Sequence, residues 1–127
     1  MTVKVFQVDP RALMMPYSYE REAIKAAGGE LMLGDCHTED DVIAQAGAAD
    51  AEILLVAGKP IVTGRVLSAL PKVRYAIRTG VGYDVIDIDA ATERGVAVGN
   101  APTYCGEEVA EHAIALLMAV ARRIVWS

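Results

Sequence analysis

The residues best suited to chemistry stand together in mid-chain, as Arg78-Thr79-Gly80-Val81-Gly82. Glycine has no Cβ, so the backbone at Gly80 and Gly82 can turn tightly and let a ligand approach it. Successive N–H groups exposed in such a turn form a concavity that takes an anion. A carboxylate fits that description, and the Arg78 guanidinium adds charge-assisted hydrogen bonds. A tight turn from a strand into a helix asks for the same glycines, so the string by itself leaves both readings open. It is not a dinucleotide fingerprint: after Gly80-x-Gly82, Val85 stands where the third glycine of G-x-G-x-x-G belongs. No phosphate loop ending in Gly-Lys-Ser/Thr occurs either.

The remaining reactive side chains do not assemble a catalytic set. Cys36 and His37 are adjacent but offer too few ligands for a metal site, and His37 is expected on a surface loop. Glu111 and His112 are also adjacent, and neighbours on a helix point about 100° apart, so they form no acid–base dyad. Cys36 and Cys105 lie far apart and are expected as free thiols in a reducing compartment. The expected catalytic residues and metal ligands in this chain are therefore none.

Strands and helices alternate around these residues. Val3 to Val8 reads as a first strand, rich in β-branched side chains. Ser18 to Ala27 reads as a helix capped by Ser18 and ended by Gly28-Gly29. A short strand over Glu30 to Leu33 follows. A second helix is capped by Thr38, with Glu39, Asp40 and Asp41 at the positive end of its dipole. Ile53-Leu54-Leu55-Val56 is a continuous apolar run, the pattern of a strand covered on both faces. Thr63 to Leu70 forms a third helix, Val73 to Arg78 a fourth strand, Asp87 to Gly95 a capped helix, and Val96 to Val98 a fifth strand. This alternation implies an open, parallel α/β sheet of about five strands, flavodoxin-like and doubly wound. Ligands of such sheets sit outside the carboxyl ends of the strands. Both the Gly80 loop and the loop Asn100 to Gly106 lie there.

A long final helix from about Glu107 to Ile124 looks unfinished. Ala113 to Ala121 carries no charge on any side, whereas a surface helix keeps one polar face. Its cover is expected from a second domain or another copy of the chain. Packing deep in its own sheet is the alternative.

Bulk properties bound the rest. With 127 residues, 54% of them apolar, the chain can bury one real core. A net charge of −5 without a basic run argues against nucleic acid. No apolar stretch reaches the ~18 residues of a membrane span. Lys4, Asp9 and Arg11 interrupt the first apolar segment, which does not read as a signal peptide, and the expected location is cytoplasmic.

Leu70-Pro71-Lys72-Val73-Arg74-Tyr75-Ala76-Ile77-Arg78-Thr79-Gly80-Val81-Gly82-Tyr83-Asp84 resembles the D-isomer-specific 2-hydroxyacid dehydrogenases, as do Asn100-Ala101-Pro102, Val109-Ala110-Glu111-His112 and Arg122-Arg123. The resemblance is specific from about Ile53 onward. It implies a substrate-binding portion over residues 1–106 and an interdomain helix over residues 107–127 leading toward a cofactor domain absent from this chain. It implies hydride transfer between NAD or NADP and a small D-2-hydroxy or 2-oxo acid. By the same resemblance, Gly80, Val81 and Gly82 hold the substrate carboxylate through their N–H groups and Arg78 assists. Tyr104 contacts substrate and Val109 lies near the nicotinamide. His112 matches a structural histidine rather than the family's acid–base histidine. The cofactor fingerprint and the catalytic arginine, acid and histidine are missing here, so the isolated chain is expected to be inactive.

Two other classes compete with the enzyme reading. One is a stand-alone module that binds a small acid or a protein without catalysis, its last helix buried in a dimer. The other is a phosphoacceptor domain, which needs clustered acids after strand one and an aspartate ending strand three. Here Asp9 stands alone and strand three runs into Ala57-Gly58. Flavodoxin itself needs a phosphate loop after its first strand, and Asp9-Pro10-Arg11-Ala12 is not one.

Overall fold

The computed structural model describes residues 2–9 and 16–124. Five parallel strands, β1 (Val3–Gln7), β2 (Gly29–Leu33), β3 (Ile53–Val56), β4 (Tyr75–Arg78) and β5 (Ala97–Gly99), form one sheet in the order β2-β1-β3-β4-β5. That order makes the sheet flavodoxin-like, with its topological switch point between β1 and β3. Between the strands run α1 (Ser18–Ala26), α2 (Glu39–Ala48), α3 (Gly64–Ala69) and α4 (Ile88–Glu93), and α5 (Gly106–Ala121) closes the chain.

Side-chain alternation divides the sheet into two unlike faces. Phe6, Leu54 and Ala76 share one register row and are buried. Val42 and Ala46 of α2, Val66 and Leu67 of α3 and Ala91 of α4 close over that face to make the core. On the other face α1 lies along β2: a Cβ at Gly29 would come within 2.8 Å of Ile24. Beyond that helix, Ile53, Leu55 and Ile77 remain only half-buried. The apolar run of β3 is therefore covered fully on one side, not on both.

The helix ends follow local chemistry with one exception. Thr38 and Asp41 form a capping box at α2, Thr63 accepts from the Val66 N–H, and Asp87 accepts from the Ala90 N–H. Ser18 is not the cap of α1. It is the first helical residue, and the N-cap is Tyr17 in the left-handed region (φ 44°), with no side-chain cap bond. Gly28 (φ 83°) and Gly95 (φ 67°) end α1 and α4 in the left-handed conformation that glycine adopts freely.

The last helix ends at Ala121, short of the expected Ile124, with Arg122 and Arg123 just past it. All its residues are exposed except Ala119, which is half-buried. Ile114, Leu116, Leu117, Met118 and Val120 face solvent. The helix is not packed into its own sheet. Val125 to Ser127, within the expected interdomain segment, lie outside the described residues, as do Pro10 to Ala12 of the rejected phosphate loop.

Candidate functional site

Arg78 closes β4 two residues after the fully buried Ala76, so its stem leaves the core as the strand ends. The side chain is half-buried and its guanidinium folds back across Gly80. A Cβ at Gly80 would stand 2.7 Å from Nη1 and 2.9 Å from Cζ, so a glycine is what lets the guanidinium lie there. Arg78 Nη1 donates to the Val56 carbonyl at 3.5 Å, a weak bond. Its Nε is buried and has no acceptor. It forms no ion pair among the described residues. A buried guanidinium nitrogen without an acceptor is costly, and an anion would satisfy it.

The loop after Arg78 shows a matching asymmetry. Its carbonyls are used: Gly80 accepts from the Ala101 N–H (3.0 Å) and Val81 accepts from Asn100 Nδ2 (2.7 Å). Its N–H groups at Gly80, Val81 and Gly82 have no acceptor among the described residues. With the carbonyls held by the β5–α5 loop, the donors are what the turn presents. Gly80 is buried, whereas Val81 (46% exposed) and Gly82 are open to solvent. One acid stands beside this turn: a Cβ at Gly82 would lie 3.0 Å from Asp84 Oδ1. Asp84 is exposed, so water screens its opposition to an anion.

Tyr104 belongs to the loop that tethers Val81. It is exposed, and its phenol pKa is raised above the ordinary value, first by a hydrogen bond with Cys105 and then by the Cys105 charge. Arg78 acts in the opposite sense, so Tyr104 and Arg78 lie within electrostatic reach of each other. Val109, in the first turn of α5, is 61% exposed, and its N–H donates to the Cys105 carbonyl at the end of that loop. The structure brings Arg78, Gly80, Val81, Gly82 and Tyr104 to one edge, with Val109 in the first turn of the helix that follows. His37 is exposed and 3.1 Å from Asp35, and His112 is exposed on α5.

Three features were not singled out from sequence. Asn100 is the clamp that turns the Val81 carbonyl away. Thr79 donates through its N–H and its hydroxyl to the Val56 carbonyl (3.0 and 3.4 Å). A cleft of about 440 Å³ opens between Thr79 and the start of α1, lined by Pro16, Tyr17, Tyr19 and Glu20. A smaller cleft of about 140 Å³, lined by Ala46, Asp50, Leu70 and Lys72, lies instead at the amino ends of the strands, beside the Lys72–Asp50 ion pair. Asn100 sits in a motif that sequence inspection marks as a loop. Nothing in the sequence announces the cleft, because it depends on how α1 enters.

The loop geometry and the sheet order agree with a match between residues 12–124 and the sequence profile of the D-isomer specific 2-hydroxyacid dehydrogenase catalytic domain. The chain belongs to this family. Among 2-hydroxyacid dehydrogenases, D-3-phosphoglycerate dehydrogenase of Mycobacterium tuberculosis is 49% identical over 79 residues, covering 62% of this chain and 15% of that protein. D-3-phosphoglycerate dehydrogenase of Methanocaldococcus jannaschii is 34% identical over 124 residues, covering 96% of this chain and 22% of that protein. The crystal structure of NAD+-bound 3-phosphoglycerate dehydrogenase from Entamoeba histolytica superposes with a TM-score of 0.78 at 26% identity, covering 94% of this chain and 39% of that one. The chain thus spans 15% to 22% of the length of these two curated 2-hydroxyacid dehydrogenases.

Proposed function

We propose that this chain is the substrate-binding part of an NAD- or NADP-dependent oxidoreductase that moves a hydride between the cofactor and a small D-2-hydroxy or 2-oxo acid. The observation that carries the proposal is the set of unused donors at one loop. Three backbone N–H groups and the buried Arg78 Nε have no acceptor among the described residues, and all belong to the segment at the carboxyl end of β4. A carboxylate supplies the oxygens they lack. Held there, the acid has its C2 fixed at the mouth of the sheet, with Tyr104 beside it and room for a substituent in the cleft next to Thr79.

The residues present do not by themselves fit a dinucleotide. Val109 is one exposed apolar side chain, and no turn of this sequence carries the phosphate-binding glycine pattern. Val109 is proposed to border the nicotinamide only when the rest of the enzyme holds it. In the same reading residues 107–127 lead toward that cofactor domain, and the bare apolar surface of α5 is covered by it or by a partner copy. Light scattering should then show self-association of the chain, relieved by Leu117→Glu. A strictly monomeric wild-type chain would count against the cover. With neither a dinucleotide fingerprint nor a histidine at the loop, the chain alone is expected to give no saturable NADH oxidation with glyoxylate, pyruvate or hydroxypyruvate. Turnover would overturn that part of the account.

The loop assignment is tested by titrating the 15N-labelled chain with glyoxylate and, separately, with glycolaldehyde, which lacks the carboxylate. Saturable amide shifts at Gly80, Val81 and Gly82 with the acid alone are expected. Equal shifts with both, or none with either, refute the assignment.

A further inference from the structure

Asp9 lies in the switch-point crevice, at the carboxyl end of β1, and is buried (8% exposed). It forms no ion pair among the described residues. Two short bonds hold its Oδ2: the still more deeply buried Gln7 donates through Nε2 at 2.6 Å and the Ala57 N–H donates at 2.6 Å. A buried carboxylate without a cation among the described residues calls for a reason beyond stability, because a neutral side chain would serve the fold at less desolvation cost. The reason is visible one peptide bond away. The N–H that Asp9 grips belongs to the Val56–Ala57 peptide, and the carbonyl of that same peptide accepts from Arg78 Nη1, the Thr79 N–H and the Thr79 hydroxyl. A charge accepted at one end of a peptide polarises the group and strengthens acceptance at the other. Peptide planarity then fixes the direction in which that carbonyl points.

We propose that Asp9 is a positioning residue for Arg78, acting through the Val56–Ala57 peptide. Gln7 orients the carboxylate, the carboxylate anchors and polarises the peptide, and the carbonyl seats Thr79 and the guanidinium under Gly80. The Arg78 guanidinium is thereby held against Gly80 without a direct ion pair among the described residues. A direct Asp9–Arg78 pair would occupy the guanidinium that the loop needs. Acting through a peptide, Asp9 steers the cation and leaves it available. This inference rests on the anion-binding reading of the Gly80 loop for its purpose, although the coupling itself does not.

Asp9→Asn tests it with the hydrogen bonds kept. An Asn oxygen in the place of Oδ2 still accepts from both Gln7 Nε2 and the Ala57 N–H, so only the charge is lost. The expected result in the 127-residue chain is a displaced Arg78 Nε–H resonance and glyoxylate affinity lower by about fivefold, at an unchanged thermal midpoint. An Nε–H resonance that does not move in a folded Asp9→Asn chain overturns the proposal. If Asp9→Asn does not fold, Gln7→Met leaves the carboxylate in place with one donor fewer. The same resonance should move, and its failure to do so is again fatal. Absence of glyoxylate binding in the wild type would sink the carboxylate-loop assignment instead, and the Nε–H shift would still report whether Asp9 steers Arg78.

Discussion

Substituting Gly80 by alanine separates the site from the fold. The added Cβ would meet three guanidinium atoms of Arg78, Nη1 at 2.7 Å, Cζ at 2.9 Å and Nη2 at 3.0 Å. Non-bonded heavy atoms prefer about 3.5–4.0 Å, so the guanidinium must retreat by roughly 0.7 Å or more. The backbone itself accepts alanine, since the positive-φ glycines are Gly28 and Gly95 and not Gly80. The clash falls on the far end of a flexible arm, and a compatible Gly→Ala change gains about 0.4–1 kcal/mol through the unfolded state. Thermal stability should hold or rise slightly. Binding should fall. A hydrogen bond to a charged group is worth about 1.5–3 kcal/mol, and Arg78 is only half-buried and displaced, not deleted, so about 1 kcal/mol, or about fivefold in glyoxylate affinity, is expected. Arg78→Gln should lose more, on the order of tenfold or above. Adding Gly80→Ala to that variant should then change nothing further, as the two act through one group. Calorimetry or amide-shift titration reads all three. Wild-type affinity in Gly80→Ala, or additive losses in the double variant, would refute the seating of Arg78 against Gly80.

Other outcomes follow from the same structure. Gly34→Ala should destabilise the fold by about 1–3 kcal/mol in urea unfolding, because its Cβ would press on the Phe6 ring at 2.7 Å and on the Gln7 carbonyl at 2.8 Å, with no flexible end to yield. The Asp41 carboxyl is held below its ordinary 3.8 by bonds from the His37 N–H first, then from the Thr38 hydroxyl and N–H. A depressed folded pKa contributes stability above pH 3.8 that is lost as pH falls through the lower folded value. The stability gap between wild type and Asp41→Asn should therefore be full at neutral pH and close in acid below pH 3.8, as followed by thermal melts. The Cys36 thiol is fully buried, and burial, then the charges of Asp41, Asp35 and Asp9, push its pKa to about 11. A thiol reagent at pH 8 should modify Cys105 promptly and Cys36 only after unfolding, so two fast equivalents would contradict the core position of Cys36.

Sequence legibility differed sharply between fold and site. The alternation of apolar runs with capped helical segments was enough for a five-stranded parallel sheet, because each strand and helix carries its own local signal: β-branched runs at Val3 and Ile53, caps at Thr38, Thr63 and Asp87, left-handed glycines at Gly28 and Gly95. The capping signal failed at Ser18, where Tyr17 takes the left-handed entry instead; a residue's own preference does not tell which of two neighbours will turn. The uncovered surface of α5 was legible because an uncharged stretch on every side is a property of the helix alone. The half-exposed face of β3 was not, because Ile53 and Leu55 look the same whether or not a helix lies over them. At the site, Arg78, Gly80 and Gly82 stand out by type and spacing. Asn100 and Asp9 do not, because their roles arise from contacts across 19 and 48 positions that only the folded sheet creates. Asp9 reads as a solitary acid in the sequence, yet in the fold it is bonded to Gln7 and to the Val56–Ala57 peptide.

The most direct test of the carboxylate loop is a crystal structure of the chain soaked with oxamate, a stable analogue of a 2-oxo acid. The carboxylate is expected within hydrogen-bond distance of the Val81 and Gly82 N–H groups, with the Arg78 guanidinium turned toward it. Oxamate bound elsewhere, or a loop whose N–H groups stay unengaged at saturating oxamate, would contradict it.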